Sequence, residues 1–291
     1  MSDPGGYRLM GIVNATPDSF SDGGLFLEPR VAVDHACALI EQGAEIVDVG
    51  GESTRPGALA ITAEEELRRV LPVVEGIVAR TGADAKGPIQ VSIDTSKSAV
   101  ARAALASGAS LVNDVSALRA DPEMASVVAE SGADCCLVHM LGLPGAPWPE
   151  PRYEDVVDEV RSALEERMAF AVREGISEER LLLDPGIGFG KTVEHNLTLL
   201  QRLQELVALG PPIVIGTSRK SFLGRIGGRE AGSARLGGTI ASNVMALERG
   251  ARVFRVHDVA PLREALAVAT ATLAGRWTES SGARNPTTET S

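Results

Sequence analysis

Hydrophobic residues in this chain gather in short continuous runs instead of alternating with polar ones. LMGIVN (9–14), EIVDVGG (45–51), IQVSID (89–94), LVNDV (111–115), CCLVHM (135–140), LLLDPG (181–186), PIVIGTS (212–218) and ARVFRVHD (251–258) all have strand length and are dominated by aliphatic side chains. Strands that are apolar on both faces are strands covered on both faces, the condition of a parallel sheet. Between them, 30–42, 63–80, 96–107, 121–131, 153–174, 194–209, 233–249 and 260–275 carry helical spacing of apolar positions. Gly43, Gly108, Gly132, Gly175, Gly210 and Gly250 each stand shortly before the next strand. That is where a helix closing on a left-handed residue requires glycine.

Eight βα units in about 270 residues match one (β/α)8 TIM barrel, with its active site at the C-terminal ends of the strands. A doubly wound open sheet satisfies the same alternation, because strand count and order do not by themselves close a barrel. The expected domain runs over 9–276, after a flexible N-terminus (1–8) and before a polar tail (277–291) with almost nothing apolar to anchor it.

The formal net charge of −11 argues against nucleic-acid or anionic-membrane partners. Cys37, Cys135 and Cys136 form neither a CxxC pair nor an even disulfide framework, which suits a reducing compartment. Residues 1–8 lack the apolar core of a secretory signal and no stretch has the uninterrupted apolar length of a membrane span, so the expected location is cytoplasmic.

In a barrel the polar residues that close each strand converge on one rim. Here they are Asn14; Glu52, Ser53, Thr54 and Arg55; Asp94; Asn113 and Asp114; His139; Asp184; Ser218, Arg219, Lys220 and Ser221; and Arg255, His257 and Asp258. Carboxylates and amides (Asp94, Asn113, Asp184) lie on the middle strands, and cations (Arg55, Arg219, Lys220, Arg255) on strands two, seven and eight. A carboxylate beside amides reads the paired N–H donors of a heterocycle such as a pterin or guanine. The cations and the turn TSRKSFLG (217–224) suit phosphate oxygens. Together they describe a flat polar ring with an anionic end.

Several familiar chemistries fail on spacing. PGIGFGKT (185–192) ends like a phosphate-binding loop, but Pro185 stands where its first glycine belongs. Its glycines are expected to let the backbone approach a flat substrate. His35, His139, His195 and His257 have no zinc-ligand spacing, and Ser218 and Ser221 lack a nucleophile elbow. Mg²⁺ differs, since it takes few protein oxygens while bridging phosphates, and a single Asn such as Asn14 would suffice.

MGIVNATPDSFSDGG (10–24), VDVGGESTRPGA (47–58), SIDT (92–95), NDVSAL (113–118), LDPGIGFGKT (183–192), GTSRKSFLG (216–224) and RVHDV (255–259) occur in this order over roughly residues 9–275. In these blocks the chain resembles the dihydropteroate synthases of the pterin-binding enzyme family. The resemblance implies condensation of 6-hydroxymethyl-7,8-dihydropterin pyrophosphate with 4-aminobenzoate, a Mg²⁺ cofactor, a homodimer and competition by sulfonamides. It implies that Asp94, Asn113, Asp184 and Lys220 hold the pterin, and that Asn14, Arg55, Arg255 and His257 hold the diphosphate, Asn14 with the metal. It further implies a 4-aminobenzoate site of Thr54, Pro56, Phe189 and Ser221. On the same resemblance Asp94, Asp184, Lys220 and Arg55 are the expected catalytic set, and the loops 15–24 and 52–60 are expected lids. Ala15 and Leu141 depart from the family's commoner residues. Two rival functions remain open here: a pterin-dependent methyltransferase, which needs no diphosphate clamp, and a non-catalytic paralogue.

Overall fold

Eight parallel strands form in the computed structural model, which describes residues 6–15, 29–53, 58–82, 89–228 and 232–276. They are β1 (Arg8–Asn14), β2 (Ile46–Gly50), β3 (Gln90–Asp94), β4 (Leu111–Asp114), β5 (Asp134–Val138), β6 (Leu181–Asp184), β7 (Val214–Ile215) and β8 (Val253–Val256). Around them lie α1 (Pro29–Glu41), α2 (Ala63–Thr81), α3 (Ser98–Ala106), α4 (Met124–Ser131), α5 (Val156–Arg173), α6 (Val193–Gln201), α7 (Leu203–Val207), α8 (Ser221–Gly227), α9 (Leu236–Glu248) and α10 (Val259–Ala274).

The strand order β6-β5-β4-β3-β2-β1-β8-β7 excludes the doubly wound reading once its ends are followed. Leu183 of β6 bridges Ile213 just before β7, and its amide donates to the Pro212 carbonyl at 3.0 Å. The sheet is therefore closed, with no free edge. All six glycines expected to end helices have positive φ, from 65° at Gly132 to 110° at Gly210.

Two layers of apolar packing follow from strand parity. Val47, Val49, Val91, Ile93, Leu137, Leu183 and Phe254 face outward into the seam under the helices. Met10, Ile46, Leu111, Cys136, Leu182, Val214 and Val253 face inward and plug the barrel. Continuous hydrophobicity is thus two alternating half-patterns, each buried.

Local differences from the sequence reading have plain causes. The segment 194–209 breaks at Arg202, whose φ of −102° leaves the helical range, giving α6 and α7. The turn at 217–224 continues into a separate helix, α8. β1 begins at Arg8, and Tyr7 packs edge-on against Phe254 at 6.1 Å, so the flexible N-terminus expected over 1–8 does not include these two residues. The expected tail (277–291) and most of the first lid lie outside the described residues. Among the described residues, no helix is long and apolar enough to cross a membrane.

Candidate active site

Above the apolar plug, the next inward positions are polar. On β2 the parity that buries Ile46 inward also turns Asp48 inward, where it is fully buried. Its Oδ1 accepts from Ser92 Oγ at 2.6 Å, and its Oδ2 accepts from Asn113 Nδ2 at 3.0 Å and Arg255 Nε at 2.6 Å. Arg255 Nη2 reaches on to Asp94 Oδ2 at 2.7 Å. Strands two, three, four and eight therefore meet in one charge-assisted network, and Asp94, Asn113 and Arg255 come together as expected. Burial raises the Asp94 carboxyl to about 7; Arg255 opposes the rise, and Asp48, Glu66 and Asp114 reinforce it.

Asp184 and Lys220 form the second half of the mouth. Burial raises Asp184, while Lys220 and the Gly186 amide, which donates at 2.6 Å, hold it down. Burial lowers the Lys220 ammonium to about 8 against the opposing pull of Asp184. Lys220 donates to the Ile187 carbonyl and stands over the Phe189 ring, 4.4 Å from its centroid. A cation over an aromatic face is favourable, and the stack leads from Asp184 outward. Trp148 continues it, its ring 6.0 Å from that of Phe189.

The glycines of 185–192 are required by close packing within the protein. Gly186, Gly188 and Gly190 have φ of +68°, +86° and +64°. A Cβ at Gly186 would lie 1.8 Å from the His139 carbonyl oxygen, at Gly188 2.9 Å from Lys220 Cδ, and at Gly190 2.5 Å from Leu141 Cβ. They let the loop press closely on the segments that follow β5 and β7.

The loop is also pinned. Lys191 Nζ lies 2.9 Å from His139 Nδ1 and 3.1 Å from the Phe189 carbonyl, and Tyr153 Oη donates to the Gly190 carbonyl at 3.2 Å. Burial lowers Lys191 to about 7 and His139 to about 3, the latter with help from Lys191 and Arg119. His139 thus faces a buried lysine in the loop brace.

At strands seven and eight the expected cations divide. Arg219, with φ +58°, is held by Asp258 through two bonds of 3.0 and 2.6 Å. His257 Nδ1 lies 2.9 Å from Ser218 Oγ, and its amide donates to the same oxygen at 3.2 Å. Ser221 opens α8 on the exposed side, next to Lys220. Asn14 ends β1, half-buried, opposite Gly50. Asp114 faces away from the interior and accepts from Ser116 N, Ser116 Oγ and Leu118 N, so it caps its loop. Thr54, Arg55 and Pro56 lie outside the described residues. The root of their loop is fixed by Lys97, whose ammonium joins Glu52 at 2.7 Å to Glu66 at 2.5 Å.

Asp48, Lys191 and Trp148 were missed by sequence reasoning. Asp48 sits inside an apolar strand, two residues before its end, where no rim argument reaches. Lys191 was passed over with a failed phosphate-loop pattern. Trp148 stands in a loop without regular pattern, and only its aromatic type among so few aromatics was a signal.

Chemically, the mouth offers acceptors for ring N–H groups beside donors for an anion, with an aromatic wall leading outward. Among the described residues, no three His, Cys, Asp or Glu side chains group as a metal centre. Asn14 is a single neutral oxygen donor, which fits a Mg²⁺ that arrives with phosphate oxygens and waters as its other ligands.

A family model described as "Pterin binding enzyme" matches residues 10–257. The chain is 45% identical over 270 residues to the dihydropteroate synthase of Escherichia coli K12, covering 92% of this chain and 93% of that one. The Xanthomonas albilineans dihydropteroate synthase with 4-aminobenzoic acid superimposes with a TM-score of 0.86 at 47% identity, covering 93% and 94% of the two chains. A Yersinia pestis dihydropteroate synthase in complex with a sulfonamide drug gives 0.85 at 39% identity, over 94% and 96%.

Proposed function

We propose, from the premise that this chain belongs to the pterin binding enzyme family and has the activity of its dihydropteroate synthases, a division of labour across the barrel mouth. The reaction joins 6-hydroxymethyl-7,8-dihydropterin pyrophosphate to 4-aminobenzoate, giving 7,8-dihydropteroate and pyrophosphate. The observation that carries the assignment is the meeting of Asp94, Asn113 and Arg255 in one buried network beside the Asp184, Lys220 and Phe189 stack.

Asp94, Asn113, Asp184 and Lys220 take the pterin edge, since buried carboxylates accept paired N–H donors. Asn14, Arg55, Arg255 and His257 take the diphosphate. Arg255 already spends Nε and Nη2 on Asp48 and Asp94, so it stands at the junction of ring and tail. Thr54, Pro56, Phe189 and Ser221 take 4-aminobenzoate, which places its amine near Lys220. The C–O bond at the pterin methylene breaks with its electron pair going to the diphosphate, and the ring delocalises the positive charge left behind. The amine nitrogen then bonds to that carbon and gives one proton to a diphosphate oxygen. Asp94 and Asp184 stabilise the electron-poor ring, and the cations stabilise the departing charge. A Mg²⁺ held through Asn14 would supply further neutralisation of that diphosphate. Sulfonamides compete for the 4-aminobenzoate position.

The reading extends to a cytoplasmic homodimer. An apolar groove between α9 and α10 carries Ile240, Val244 and Ala265, with Val268 and Leu273 exposed by 64% and 53%, which supports pairing of two copies through these helices. Pyrophosphate release that requires both substrates tests the function. Lys220→Ala and Asp184→Ala are each expected to lower it by about 10²-fold or more. No release from the unmodified protein, where a control enzyme works, overturns the reading.

A further inference from the structure

We propose that Asp48 is a positioning residue for the pterin half of the reaction: from beneath the mouth it holds Asn113 toward the ring and Arg255 at the junction of ring and diphosphate, and it supplies a fixed negative charge beside Asp94. The inference rests on the dihydropteroate synthase reading and assigns a residue that lies below the substrate-facing set. Asp48 is fully buried, and every donor it meets comes from a different strand. Ser92 on β3 anchors Oδ1, which leaves Oδ2 to receive Asn113 from β4 and Arg255 from β8. The next inward position on β2 is Gly50, paired in register with Asp94. With no side chain there, the Arg255 guanidinium spans both carboxylates, 2.6 Å from Asp48 and 2.7 Å from Asp94.

Stability does not explain this arrangement. A buried ion pair is often no better for folding than apolar side chains of the same volume, and apolar side chains already fill the layer beneath. What the pair does supply is orientation. Without Asp48, Arg255 has one partner, Asp94, and is free to swing; Asn113 loses the acceptor that fixes which way its amide points.

The charges acting on Asp94 are Arg255 from β8, Asp48 from β2, Glu66 from α2 and Lys220 after β7, with Asp114 of β4 acting from the outward side. Burial is the largest cause holding Asp94 near 7, and Asp48 adds to it. Asp48→Asn removes one negative neighbour and leaves Arg255 wholly to Asp94. Both changes act in the same direction, lowering the pH at which Asp94 ionises.

The test is calorimetric titration with 6-hydroxymethylpterin, alone, across pH, for the unmodified chain, Asp48→Asn, Arg255→Gln and the double variant. Asp48→Asn is expected to weaken binding at high pH about tenfold and to move the acid midpoint of binding down by about 1 pH unit. In the Arg255→Gln background the same substitution is expected to weaken binding by clearly less than tenfold, about threefold, because the share that acts through the guanidinium is already gone. An unmoved midpoint, or losses that simply add, overturns the proposal. If Asp48→Asn does not fold, Ser92→Ala keeps both charges while loosening the anchor; it is expected to weaken pterin binding about threefold with the midpoint in place, and unchanged affinity overturns the proposal equally. An unmodified chain that binds no pterin defeats the functional reading instead.

Discussion

The two ends of the barrel are built from the same strands and the same inward parity, yet they resolve charge differently. At the N-terminal end Arg8 Nη2 donates to Gln90 Oε1 at 2.9 Å, and Gln90 Nε2 donates to Asp134 Oδ2 at 2.8 Å. One cation and one carboxylate are joined through a neutral amide, and the amide's donor and acceptor are both used. At the C-terminal end three carboxylates, Asp48, Asp94 and Asp184, meet two cations, Arg255 and Lys220, in deeper burial. Asp94 is pushed up to about 7 and Lys220 down to about 8. A fully matched network holds a fold together, whereas a mismatched buried one waits for a ligand to complete it.

The largest effect expected at the mouth end is on rate. Asp184→Asn should lower pyrophosphate release by about 10²-fold while folding free energy stays within about 1 kcal/mol or rises, measured by denaturant unfolding beside the assay. A parallel loss of stability would erase the distinction between the ends. Gly186→Ala is next. Its Cβ would overlap the His139 carbonyl at 1.8 Å in a left-handed backbone, and we expect about 3 kcal/mol of lost stability together with most of the activity.

At the opposite end, Gln90→Leu strands Arg8 and Asp134 and should cost about 1–2 kcal/mol with kcat held within about twofold. An activity loss as large as that of Asp184→Asn would break the comparison. A pH profile sharpens it further. Asp94 must be ionised to accept ring donors, so kcat/KM for the pterin pyrophosphate should fall about tenfold per unit below about 7; Lys220 must stay protonated, so it should fall likewise above about 8. A flat profile from pH 6 to pH 9 would rule out both assignments. The smallest effect belongs to the rim, where Trp148→Ala should raise KM for 4-aminobenzoate about threefold without changing kcat, by removing the outer ring of the Phe189 stack.

Most of the scaffold was legible because its signals are local. A run of aliphatic residues bounded by a helix-ending glycine needs no distant partner to declare itself, and all six glycines read in this way adopt positive φ. The rim residues were legible for the same reason, since a polar side chain closing an apolar strand marks the C-terminal edge. Asp94, Asn113, Asp184, Lys220 and Arg255 were found by position along the chain. Asp48 was not, because hydrophobicity buried on both faces hides which parity points inward. The roles of His139 and Lys191 were hidden differently, since their contact joins loops 52 residues apart.

Thus the chain by itself determined the alternation of strands and helices and the chemical types gathered at their ends, both set by near-neighbour preferences. Only closure between Leu183 and Ile213 decided that the sheet is a barrel. Only the resulting register decided that one arginine, 207 residues beyond Asp48 in sequence, lies between two buried acids. Such pairings depend on distances across the closed sheet, which no window of sequence contains.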